Sequence, residues 1–139
     1  MTMRRIHPLR VPIWFGVLAL VAACQEDPPA GDAVEVPSGR KLSLIDIVTN
    51  APGPAGATAR FRFLAPGLST DEAEAASADM QALCDSFAIK RIDGMVPQPQ
   101  QIVISFADAA VPFGEAAPDV IQFFESFRPE NGACVWEVF

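Results

Sequence analysis

Chemistry near neutral pH needs a side chain that can attack, ionise or hold charge, and this sequence offers few. It has one histidine, His7, and no tyrosine. Beyond the first ten residues there is thus no imidazole, the side chain that ordinarily changes charge between pH 5 and 8. Serine–histidine–aspartate and cysteine–histidine catalysis are excluded there, as are zinc sites built on imidazole. No GxxxxGK[ST] or GxGxxG run supports nucleotide binding, and no DxDxDG loop offers a calcium site. Carboxylates remain. Asp46, Asp108, Glu125 and Glu137 lie in or beside β-rich runs, and two carboxylates at the right separation can hydrolyse a glycosidic bond. The competing reading is that each acid sits on a solvated strand face. Arg60-Phe61-Arg62-Phe63 places two guanidiniums on one strand face. They could grip a phosphate, a carboxylate or an acidic partner segment, or pair across strands with Asp46 or Glu125. Three cysteines, Cys24, Cys84 and Cys134, complete the reactive set.

The first cysteine ends a distinctive segment. Arg4, Arg5 and Arg10 precede an uncharged run from Val11 to Ala23. A basic start, an apolar stretch and small residues at its end are the layout of a secretory signal. Thirteen residues fall short of the roughly 20 that a spanning helix needs. The run closes on Val21-Ala22-Ala23-Cys24, which resembles the lipobox of bacterial lipoproteins. The resemblance implies lipid transfer to the Cys24 thiol and removal of residues 1–23. It implies attachment to the membrane through that lipid, in the cell envelope and facing the periplasm. Gln25 stands where an aspartate would signal retention at the inner membrane, which favours the outer one. Two or more acyl chains give a stable anchor, at about 0.8 kcal/mol per buried CH₂.

Removal of the leader takes away the only histidine and three arginines. Seven basic residues then face 17 acids, a formal charge of −10. So acidic a surface disfavours nucleic acid and anionic headgroups as partners. With Cys24 assigned to lipid, Cys84 and Cys134 are left in an oxidising compartment, where a structural disulfide between them is expected. Neither stands in a CxxC pattern or beside a histidine, so a redox or metal role has no support.

These groups need elements to position them. Residues 24–33 read as a flexible tether and 34–139 as one small domain. Val34 and Val36 suggest a first strand. Lys41–Thr49 is rich in Leu, Ile and Val, and 58–64 alternates Ala59, Phe61 and Phe63 against Arg60 and Arg62; both read as strands. The turn-dense Asn50–Gly56 makes them a hairpin. Ser69 with Glu72 fits a capping box. Ala76, Met80, Leu83, Cys84 and Phe87 then recur at helical spacing, which predicts a helix over about 70–88. Ile102–Phe106 and Ala133–Phe139 read as strands. Val120–Arg128 reads as strand in preference to helix, because Pro129-Glu130-Asn131-Gly132 turns the chain. Trp136 and Phe61, Phe63, Phe106, Phe123 and Phe127 are assigned to the core. The expected fold is α+β, an antiparallel sheet in ββ-α-βββ order covered by one helix.

The blocks VPSGRKLSLIDIV, APGPAGATARFRFLAP, QIVISFAD and QFFESFRPENGACVWEVF resemble a family of small exported alphaproteobacterial proteins of unknown function. That resemblance implies a folded domain and no particular activity. The expected function is therefore a non-catalytic envelope lipoprotein. It would bind an unidentified envelope protein or component, need no cofactor or metal, and take neither nucleotide nor nucleic acid. The alternative is a carboxylate-based hydrolase of cell-wall glycan.

Overall fold

A computed structural model describes residues 33–49, 52–54 and 56–138. The expected leader, Cys24 and the expected tether up to residue 32 lie outside the described residues. The strands are β1 (Ala33–Val34), β2 (Leu42–Val48), β3 (Pro52–Gly53), β4 (Gly56–Leu64), β5 (Gln101–Ala107), β6 (Gln122–Glu130) and β7 (Ala133–Glu137). Between β4 and β5 lies a helical rod. It opens with a 3₁₀ turn at Thr70–Glu72 and runs through α1 (Ala73–Leu83). One π-helical turn at Cys84–Ala88 and a short α2 (Ile89–Arg91) complete it.

The sheet order is β1-β2-β4-β5-β6-β7, with β3 on the side of β4. The expected antiparallel sheet covered by one helix does not form. β4 and β5 run parallel while the remaining neighbours run antiparallel, and the mixed sheet curls into a half-barrel. The connection explains the direction. A single helix joining adjacent strands carries the chain back along its own length, so the second strand must start at the same end as the first. Periodicity identifies elements but is silent about pairing direction. A register shift between Leu44 and Asp46 in β2 adds the local twist that irregular strands bring to a curl.

The helix start follows its sequence. Glu72 accepts the Ser69 backbone N–H at 2.8 Å, satisfying one donor as a capping box does. The predicted stripe is buried: Ala76, Met80, Leu83, Cys84 and Phe87 lie in one cluster with Phe61, Phe63, Phe106 and Phe127. Edge-on ring contacts join Phe87 to Phe63 at 5.6 Å and Phe63 to Phe106 at 6.2 Å, the geometry aromatic quadrupoles favour. Two ties hold the N-terminal segment to the rod. Buried Asp79 accepts the Ser38 N–H at 2.9 Å and its hydroxyl at 2.5 Å, and Arg40 pairs with Glu72.

A second set of ties closes the far edge. Cys84 and Cys134 form a disulfide. Beside it, Asp85 accepts the Cys134 N–H at 2.8 Å and Gln81 donates to the Cys134 carbonyl at 3.0 Å. Those backbone groups lie on the edge of β7 and would otherwise be open to another strand. β6 and β7 turn through Asn131 and Gly132, with φ of 52° and 77°. Positive φ at both residues is what a two-residue type I′ hairpin demands, and Asn-Gly adopts it at least cost.

One core assignment is corrected. Trp136 is 53 % exposed. It sits on edge strand β7, opposite Phe127, and its indole N–H donates to Glu125 at 2.5 Å. An amphipathic ring with a nearby acceptor has no need of the interior. Phe123 is only partly buried against the cluster.

Candidate functional site

Strand register divides the sheet into two faces. Phe61, Phe63, Ile104, Phe106 and Phe127 share the helix face. Arg60, Arg62, Val103, Ser105 and Phe124 alternate with them and lie on the other. The segment after β5 folds toward this second face, and Val111, Pro112 and Phe113 join those side chains around a cavity of about 200 Å³. Asp108 holds the base of that segment, accepting the Ile121 N–H at 3.0 Å while its own N–H reaches the Ile121 carbonyl. Every residue of β5 is buried: Ile102, Ile104 and Phe106 lie in the core cluster with residues of the rod, and this segment contributes to covering the other face.

The two arginines have different fates. Arg62 sits opposite Asp46 in the register and donates to it at 2.8 Å. It also donates to the Val111 carbonyl, which fastens the covering segment to the sheet. The cross-strand pairing read from sequence is therefore made by Arg62. Arg60 has Val48 and Val103 as its cross-strand neighbours. No acid among the described residues pairs with it, and its Nε is buried without a hydrogen-bond partner. A buried donor left unpaired costs about 1–3 kcal/mol. Phe113 lies near both cations, with its ring centroid 6.0 Å from Arg60 Cζ and 5.7 Å from Arg62 Cζ, which is cation–π range. The ring is half-exposed.

Each of the four candidate carboxylates has a partner of its own. Asp46 pairs with Arg62, Asp108 with the Ile121 N–H, Glu125 with Trp136, and Glu137 with Arg128 at 2.9 Å. Glu125 stands on the helix face, opposite Ile104. Asp46 and Glu137 share the other face but are four strand steps apart, about 19 Å along the sheet at ~4.8 Å per step. Among the described residues no three His, Cys, Asp or Glu side chains gather as metal ligands would, and no helix is long and apolar enough to cross a membrane.

The family of unknown function DUF6497 matches residues 17–139. This chain belongs to the DUF6497 family. Neither a curated protein nor a solved structure matches it. Two features of the DUF6497 domain escaped the sequence reading. Ser38 and Lys41 have serine–lysine spacing, yet Ser38 spends its hydroxyl on Asp79 in a turn. The covering segment 108–121 also went unrecognised; its signal was the short Ile102-Val103-Ile104 run of β5, which places apolar residues on both faces of the strand.

Proposed function

We propose that this DUF6497 member is an exported lipoprotein of the alphaproteobacterial type. Residues 1–23 direct export and are removed, Cys24 carries lipid, and residues 24–32 tether the domain, which begins with Ala33 in β1. The domain faces the periplasm, with the outer membrane its destination. There it binds an envelope protein or component without catalysing a reaction. The observation that carries this reading is the Val11–Cys24 segment, whose charge, length and ending match a lipoprotein leader. The family match begins at residue 17, so it takes in Val21 to Cys24. The binding role is supported by the engaged acids, each of which has a partner of its own, and by an arginine-bearing cavity on the face that the helical rod does not occupy.

Fractionation tests the anchor. The unsubstituted protein is expected in the membrane fraction, and Cys24→Ala is expected to leave it. Identical fractionation of the two would contradict the proposal.

A further inference from the structure

We propose that the cavity above Arg60 binds a monocarboxylate carried on a small apolar body. This names a ligand class for the binding role proposed above and rests on it.

The charge balance points to one negative charge. Two guanidiniums border the cavity, but Arg62 is neutralised by Asp46 and held by the Val111 carbonyl. Arg60 stands between two valines with its Nε unpartnered. A guanidinium presents parallel N–H donors that match both oxygens of a carboxylate. Ser105, buried beside Arg62 in the register, has no side-chain hydrogen bond among the described residues and can donate a second contact from the cavity floor. More highly charged anions fit less well. Glu115 also lines the cavity, and the chain as a whole is acidic.

The walls define the rest of the ligand. Val103, Val111, Pro112 and Phe124 are apolar, and the Phe113 ring approaches both cations. Such surfaces reward an apolar group and lower the local dielectric, which strengthens the contact at Arg60. The volume, about 200 Å³, lies below the roughly 300–1,000 Å³ of sites for drug-sized molecules. It suits a short organic acid or the last side chain and carboxyl of a peptide. These are two sources of one chemistry.

The test is a proton–nitrogen NMR titration of the mature protein in detergent. Benzoate and benzamide form one pair of probes; N-acetyl-Ala-Val with a free or an amidated terminus forms the other. The carboxylates are expected to shift the Arg60 Nε–H signal and the amides of 103–105 and 111–115 saturably. Each amide partner should bind at least tenfold more weakly. Tighter binding of benzoate would assign the site to free acids, and tighter binding of the peptide to a protein terminus. Arg60→Gln is expected to abolish the shifts, and Glu115→Gln to tighten binding about two- to threefold. Should Arg60→Gln not fold, Phe113→Ala and Glu115→Gln carry the test, with weaker and tighter binding expected in turn. Absence of saturable shifts, equal binding of acid and amide, or indifference to these substitutions would overturn the proposal. Such a failure would leave the anchor standing or falling on the Cys24→Ala fractionation alone.

Discussion

The two faces of the curled sheet solve different problems. On the helix face, Phe61, Phe63, Phe106 and Phe127 are fully buried against the helical stripe. On the other face, β4 presents Arg60 and Arg62, which alternate with Phe61 and Phe63. The covering there is a loop segment fastened by Asp108 and by the Arg62–Val111 contact. Burial of apolar area drives folding without regard to direction, so the helix face can be packed tightly and carries most of the stability. Charged groups under a loop return little stability and retain specific hydrogen-bonding demands. The contrast puts the packed core on one face and the arginine-lined cavity on the other.

Substitutions can break that contrast in order of size. Phe63→Ala removes a fully buried ring that touches Phe87 and Phe106 and should cost about 3–5 kcal/mol, read from the denaturant midpoint. A cost under 1 kcal/mol would mean that the helix face does not dominate. Replacing Cys84 and Cys134 with serine together opens a crosslink spanning 50 residues. This should cost on the order of 3–4 kcal/mol in the chain-entropy treatment, and reduction of the unsubstituted protein should reproduce it. Asp46→Asn tests the opposite face. Asp46 is 42 % exposed and Arg62 13 %, so the pair should contribute only about 1 kcal/mol. A double-mutant cycle with Arg62→Gln isolates that contribution.

The smallest effect lies at the helix start. The Ser69 hydroxyl holds the Asp71 carboxyl below its ordinary value of 3.8. A depressed value favours the folded state while the acid is ionised. Its contribution is present above pH 3.8 and is lost as pH falls through the folded value. Asp71→Asn should therefore show a slightly smaller drop in melting temperature between pH 5 and pH 3. An identical drop would remove Asp71 from the account.

Much of the helix face was legible in the sequence, for a physical reason. Alternation in 58–64, the capping box at Ser69 and Glu72 and the helical spacing to Phe87 each record a local burial pattern. Asn131-Gly132 announced its turn through backbone conformation alone. What local patterns cannot carry is pairing. The parallel contact of β4 with β5 and the curl depend on how a connection returns through space, and the expected antiparallel sheet failed on that point. The candidate site was half legible. Arg60 and Arg62 stood out as a pair, but only register separates the arginine that meets Asp46 from the one that meets two valines. Trp136 was misassigned because edge position, like pairing, is not written in composition.

The proposed envelope role requires that the domain be displayed from the membrane by its own N-terminus. The intact mass of the protein recovered from the membrane fraction tests this directly. The account predicts a chain that begins at Cys24 and carries the added mass of acyl chains. A chain that retains residues 1–23, or one that begins at Cys24 without acyl mass, would contradict it.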